Sequence, residues 1–552
     1  MQGPAEKPAR AAFVGGLIAA AITLPGLGAG TLWDNSETAY GEVAREILLA
    51  HSWVVMHFNT VPYFVQPPLY FWAAAFFALL WGPTSFAMRF PSALATIALA
   101  AMTGYAVARQ AGTRAGIYAS VILSSSLIVA VIGRLAIMDA LLDLFVAMSI
   151  FWWFRGLQTG RDRYVVYGWI AAAFGFLSKG LVAPVVALLV IVPFFIWNRR
   201  VETTHFSPRA WILGVLAFLA IAIPWPAALV ERYHWFPIWK LFGVYTLGRY
   251  TGVIENQAGP FWYYLPVIAL GFFPWMAFLP MSIAYAVREL RARASDPRTS
   301  LVRLAVVWIA MPLLFFTFAS TKLPNYVALE FPALALLTAL YFETVVERGG
   351  TRSAVISASF VPLTIGLLAV AIAVFMRTNK LGATAIDVIP GLIGLGAAIF
   401  IGSLLTAVMV GRKALVGAAP YALAIATLLA MDTIAVVVLP KVEAFKPIPR
   451  LAAIVNRERQ PYDSVAIQSI SGGNALLFYT HPDVDVLSPA RGGDPQSPGI
   501  DPRVAICGAP RAWVIAPRKR PDYDPTYGRH RSLIAVDMKA ALYLYDGPDC
   551  TL

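Results

Sequence analysis

Residues 31–46 read TLWDNSETAYGEVARE. The stretch follows the first apolar run of the chain at once and brings four carboxylates, Asp34, Glu37, Glu42 and Glu46. Asp-x-x-Glu is the spacing of a capping box: Asp34 would accept from the orphan amides of a helix start, and Glu37 would reach back from the third position. Val43, Ala44, Ile47 and Leu48 give that helix one apolar side. Two readings follow. The stretch is a capped amphipathic helix lying on a membrane surface, or Asp34 is a catalytic carboxylate held at the membrane boundary.

Working outward, the membrane itself is set by composition. The chain has 552 residues, of which 59% are hydrophobic and 13% charged; soluble domains carry about 25% charged residues. The formal charge of +13 does not imply nucleic acid, because Lys and Arg orient membrane proteins and no aromatic-basic interleave or nucleic-acid module is present. The N-terminal MQGPAEKPAR is short and basic before an apolar run. A first membrane span and a signal peptide cleaved near GLGAG are the competing readings of that run, and the helix count favours the span.

Apolar spans fall near 12–30, 88–108, 115–132, 137–155, 165–178, 180–197, 209–229, 262–285, 302–319, 324–342, 353–376, 388–410 and 416–439. Residues 68–82 are apolar but short and aromatic, which suits the interface rather than a crossing. With the N-terminus inside, the inner loops hold nineteen Lys and Arg against ten in the longer outer loops, so the charge bias places the N-terminus in the cytoplasm and the C-terminus outside. The expected fold is therefore an α-helical polytopic membrane protein of about 13 transmembrane helices with a C-terminal soluble α/β domain. The transmembrane domain covers 1–440, with external loops 31–87 and 230–261. The polar segment 441–552 carries β-type runs at Ser464–Ile470, Ala512–Ala516, Leu533–Met538 and Ala541–Tyr545, a helical pattern at about 448–460 and a turn at 472–474.

Ionisable residues at membrane depth are functional candidates, and here they gather toward one face. Asp34 and Glu37 follow the first span. Arg134 and Asp139 begin the fourth, in GRLAIMDALLD. Lys179 lies in SKG, Arg249 and Glu255 in the second long loop, and Lys322 in STKLPNY with Tyr326 after it. Each has a structural alternative, as a head-group anchor, a snorkelling cation or an interfacial tyrosine. Together the cations suit a phosphate and the carboxylates suit acid–base work or orientation of an acceptor. Asp143 falls one turn after Asp139, as a buried hydrogen-bond partner; Asp432 has no partner legible in the sequence. No Walker loop and no zinc-type spacing occur.

At these residues the chain resembles the GT-C glycosyltransferases that use polyprenyl-phosphate sugars, and among them the aminoarabinose-transferase branch. The matching stretches are TLWDNSETAYGEVARE, PPLYFW at 67–72, MD at 138–139, SKG at 178–180, FWYYLPVIALGFFPW at 261–275 and MPLLFFTFASTKLPNY at 311–326. The likeness runs from residue 1 to about 340. Departures are Asn35, Gln66 where a lysine precedes the Pro-Pro, and Gln257. The resemblance implies an inverting transfer from an undecaprenyl-phosphate sugar to a lipid A phosphate in the bacterial inner membrane. It implies Asp34, Glu37 and Asp139 as catalytic residues, and Lys179, Arg249, Tyr326 and Lys322 at the carrier phosphate. Arg134, Gln66 and Tyr40 would serve the acceptor and the loop.

Two alternatives stay open: a protein O-mannosyltransferase-like or polysaccharide glycosyltransferase, and a polyprenyl-lipid flippase, which should show broken helices with polar groups near the midplane. No cofactor and no catalytic metal are expected, since Asp34-Asn35-Ser36 lacks a second Asp; His51 and His57 could hold a structural metal ion. The two cysteines, Cys507 and Cys550, are expected to bridge if their segment lies outside the cytoplasm.

Overall fold

A computed structural model describes residues 7–33, 36–200, 205–253, 257–292, 296–378, 389–467, 473–480, 486–487, 506–518, 528–538, 540–547 and 550. Asp34, Asn35 and Glu255 lie outside them.

The protein is polytopic and helical. Each of the thirteen apolar stretches coincides with a helix or a broken pair of helices. Among the described residues, six are long and apolar enough to cross a membrane: Ser85–Ala111, Asp139–Thr159, Pro297–Thr317, Pro324–Glu347, Ile389–Val410 and Val416–Val442. Two further crossings are bent pairs, Pro208–Ala222 with Pro224–Tyr233 at 44° and Tyr264–Gly271 with Trp275–Ala292 at 109°. Prolines start the second member of the first pair and lie in the corner of the second, where the missing amide cannot continue a helix. Pro8–Thr23 and Val182–Asn198 are shorter apolar helices, and Arg352–Thr378 is a helix of 27 residues. The 115–132 stretch is broken into Thr113–Ser124 and Leu127–Ile132, because Ser124, Ser125 and Ser126 bond back to carbonyls of the preceding turn and compete with the ladder. Helix Leu69–Trp81 has 13 residues, about 20 Å of rise, short of a hydrocarbon core.

The chain divides into two compact units: 1–27, 65–70 and 89–438, and 28–64, 71–88 and 439–552. The first unit is the helical body. In the second, the first loop packs with the C-terminal segment: helix Glu37–Leu49 lies against helix Gly473–Tyr479, and Gly41 lets Phe478 approach to 2.9 Å of where a Cβ would stand. Gly473 and Asn474 open that helix, where the sequence had suggested a turn.

The C-terminal sheet is formed by β3 (Ser464–Ile467), β4 (Val486–Leu487), β5 (Ala512–Pro517), β6 (His530–Asp537) and β7 (Ala540–Asp546), in the order β4-β3-β5-β7-β6. A small hairpin, β1 (His57–Phe58) with β2 (Val61–Pro62), belongs to the first loop. β3 is parallel to β4 and β5, while β7 is antiparallel to β5 and β6. Alternation of apolar residues buries Val514, Ala512 and Tyr545 with Ile506. Helix Pro447–Glu458 matches the 448–460 pattern. β4 escaped sequence reading because two residues carry no period. Cys507 and Cys550 are bridged, with Cα atoms 5.6 Å apart.

Candidate active site

In the helical unit the site begins with a hairpin. Helices Asp139–Thr159 and Asp162–Lys179 are joined by two residues, so the start of the first must lie beside the end of the second. Asp139 opens the one and Lys179 closes the other, each at the helix end its charge favours. Gly180 stops the second helix at φ +70°, a left-handed value that glycine takes freely. The outcome is Lys179 Nζ donating to Asp139 Oδ1 at 2.6 Å.

Asn325 Nδ2 donates to the same oxygen, also at 2.6 Å. Asn325 and Tyr326 come from the 3-10 turn Pro324–Glu330, whose rigid start brings the Tyr326 ring 5.6 Å from Lys179 Nζ and 5.0 Å from Phe316. Exposures of 17% for the Lys179 side chain and 8% for Asp139 take this pair out of the class of solvent-screened surface ion pairs. Asp143, one turn on, is buried on the same helix. Pro67, next to Gln66, lies 3.9 Å from where a Cβ on Gly180 would stand, so the half-buried Gln66 precedes a contact with the Lys179 helix end.

A second group is built by the 249–257 loop. Backbone amides of Ser320, Thr321 and Lys322 donate to the carbonyls of Tyr250, Arg249 and Gln257 at 2.9, 3.0 and 2.8 Å. Arg249 Nη1 stands 3.5 Å from Gln257 Oε1. Lys322 Nζ donates to the carbonyls of Thr317 and Ala319 at 2.6 and 2.9 Å, closing the end of helix Pro297–Thr317, and lies 5.6 Å over the Tyr264 ring. Burial lowers its affinity for the proton. Its ammonium is therefore committed to a helix end.

Arg134 is likewise engaged. Its guanidinium donates to the carbonyls of Thr23, Met431 and Pro25 and lies 3.9 Å from Asp432, the partner that spacing alone could not supply. These bonds tie helix Pro8–Thr23 to helix Ala419–Thr433.

In the second unit, helix Glu37–Leu49 starts at Ser36 without a side-chain cap. Glu37 reaches back as a capping-box glutamate does, but to the Trp33 amide at 2.8 Å. Tyr40 packs edge-on against Phe71 at 5.8 Å. Glu42 and Glu46, one turn apart, are both buried; Arg45 pairs with Glu42 at 2.8 Å and Glu46 accepts from the Thr60 amide at 3.1 Å. Burial, then the charge of Glu42, pushes Glu46 up to about 7. Asn325 and this carboxylate pair were not singled out by sequence reasoning. The i, i+4 spacing of Glu42 and Glu46 was the available signal for the second. Among the described residues no group of three His, Cys, Asp or Glu is placed to hold a metal ion.

The helical body has a fold shared with a membrane glycosyltransferase of the GT-C type. Residues 65–226 match the family model for dolichyl-phosphate-mannose-protein mannosyltransferase. The undecaprenyl phosphate-alpha-4-amino-4-deoxy-L-arabinose arabinosyl transferase of Edwardsiella ictaluri is 31% identical over 338 residues, 60% of this chain and 58% of that protein. The enzyme of the same name from Aeromonas hydrophila is 34% identical over 58% of each. The matches thus span about three-fifths of the length of these curated relatives. The crystal structure of ArnT from Cupriavidus metallidurans bound to undecaprenyl phosphate superposes with a TM-score of 0.75 at 19% identity, over 98% of both chains, which establishes the shared fold.

Proposed function

We propose that the protein transfers 4-amino-4-deoxy-L-arabinose from undecaprenyl phosphate to a phosphate of lipid A, with inversion at the anomeric carbon. The reaction takes place at the outer face of the bacterial inner membrane, with the N-terminus in the cytoplasm and the C-terminal segment in the periplasm. The observation that carries the reading is the Lys179–Asp139–Asn325 cluster with Tyr326 beside it, a cation paired at the ends of two helices with a carboxylate that also accepts from an amide.

An oxygen of the acceptor phosphate attacks the anomeric carbon. The bond from that carbon to the carrier oxygen breaks, its electron pair goes to the carrier phosphate, and undecaprenyl phosphate leaves. Lys179 and Arg249 supply positive charge where the leaving phosphate gains negative charge, the transition-state stabilisation that fixed donors provide best. Asp139, itself bonded by Asn325, holds the Lys179 ammonium before the substrate arrives, so little reorganisation is needed. The acceptor is already anionic, so Asp34 positions it or stabilises the oxocarbenium-like centre; toward a hydroxyl acceptor it would be a general base. Catalysis needs no metal ion in this reading.

The match of residues 65–226 to a protein mannosyltransferase model favours, as second reading, a protein or polysaccharide acceptor. A flippase gains little support: the two sharply bent pairs among the described residues break at Ile223–Pro224 and Phe272–Pro274, and the 115–132 stretch breaks at Ser125–Ser126, none of which bears an ionisable group. The test is mass spectrometry of lipid A from cells with and without the protein, alongside transfer of radiolabelled sugar by purified protein. Aminoarabinose on lipid A only when the protein is present supports the first reading. Label in protein or polysaccharide moves the acceptor to the second, and no transfer at all removes both.

A further inference from the structure

Three consecutive residues before Asp34 are held by side chains far along the chain, all within the second unit. The Thr31 amide donates to Glu443 Oε1 at 3.0 Å, across 412 positions of sequence, and the Thr31 hydroxyl donates to Glu443 Oε2 at 2.6 Å. The Thr31 carbonyl accepts from Lys446 Nζ at 3.1 Å. The Leu32 amide donates to the Tyr479 hydroxyl at 2.7 Å. Lys446 Nζ stands 4.0 Å from the centre of the Trp33 ring, within cation–π range, while the Trp33 amide goes to Glu37.

Glu443 and Lys446 are neighbours for a local reason. Glu443 opens the 3-10 turn Glu443–Phe445 and Lys446, three residues on, lies between that turn and helix Pro447–Glu458; they pair at 2.9 Å. Their charges offset one another, so the pair offers no free anion or cation; what remains is directional hydrogen bonding to main chain. Burial alone would raise the affinity of Glu443 for a proton, but the bonds from Thr31 and Lys446 outweigh it and hold the carboxyl below its ordinary range. The fit is close on the other side too: Gly30 has φ +71°, and a Cβ there would stand 2.8 Å from Glu443 Oε1.

We propose that Glu443 and Lys446 are positioning residues of the transfer reaction: they set the backbone from Thr31 to Trp33 and so hold the loop from which Asp34 acts. This rests on the function proposed above. Neither residue touches substrate. Their effect is on where the loop stands, and misplacement of a reacting group by about 1 Å can cost on the order of 100-fold in rate. Within the loop's own sequence the Trp33 amide donates to Glu37 and the Trp33 carbonyl accepts from the Thr38 amide at 3.2 Å; the tether to the far end of the chain adds the bonds to Thr31 and Leu32.

The experiment uses the full chain in lipid nanodiscs, with undecaprenyl-phosphate aminoarabinose as donor and lipid A as acceptor. Glu443→Ala should lower kcat by about 10- to 100-fold with KM for the donor within about twofold. Amide hydrogen exchange at Thr31 and Leu32 should speed up in the same variant. Glu443→Gln, which keeps an oxygen for Thr31, should recover part of both. Faster exchange with wild-type kcat overturns the inference, as does lost kcat with unchanged exchange, or no change in either. A wild-type protein that transfers no sugar defeats the functional reading itself, an outcome separate from equal activity in wild type and variant.

Discussion

Lys179 and Asp139 meet at 2.6 Å because one ends and the other begins two helices joined by a two-residue turn. Their pairing is thus a consequence of the helical hairpin, and Asn325 adds a second donor to the same carboxylate oxygen. Lys179→Ala should lower kcat/KM by about 100-fold, the scale of removing one donor aimed at developing charge, and should weaken donor binding. Asp139→Asn keeps an acceptor but frees the ammonium, and a smaller loss is expected. Steady-state kinetics against donor concentration checks both; unchanged donor affinity in Lys179→Ala would remove that residue from the carrier site.

Asp34→Ala is expected to abolish transfer while the protein remains folded and inserted. Near-normal turnover in a folded variant would remove Asp34 from the reaction.

Stability should depend on Glu46. Its carboxyl binds a proton more tightly in the folded chain, at about 7 against 4.5. A raised carboxyl contributes stability that is fully present below pH 4.5 and is lost as pH rises through about 7. The swing is on the order of a few kcal/mol. Thermal unfolding from pH 5 to pH 8 should show a falling midpoint, and Glu46→Gln should flatten it. An equal slope in the variant would assign the dependence elsewhere.

Cys507→Ser should destabilise the C-terminal unit by about 2–5 kcal/mol, since the bridge closes a separation of 43 residues. Differential unfolding with and without reductant gives the comparison. Ready alkylation of both thiols in unreduced, folded protein would contradict the bridge.

Transfer should survive chelation. The expectation comes from Asp34-Asn35-Ser36, which offers one carboxylate where a metal-binding Asp-x-Asp would offer two. Activity lost with chelator and restored by a divalent ion would overturn it.

How legible was all this in the sequence? The thirteen apolar stretches, the short apolar helix Leu69–Trp81 and four of the five C-terminal strands could be read directly. Hydropathy and period are local sums, and lipid forces each crossing to satisfy its own backbone as a helix. The Asp139–Lys179 pair was half legible, since a short turn between two helices brings their outer ends together. Side-chain commitments were not legible. Arg134 and Lys322 look in sequence like free cations beside a phosphate site, yet the fold turns Arg134 onto the carbonyls of Thr23, Pro25 and Met431 and Lys322 onto a helix end. Asp432 acquires Arg134 from a span 297 positions away by the measure of its neighbour Met431. Thr31 acquires Glu443 across 412. The sequence by itself determined which segments are helices, which are strands and where charge could gather. Only the tertiary structure decided which partners those charges take, because a hydrogen bond is a matter of ångströms between atoms and the distance along the chain says nothing of it.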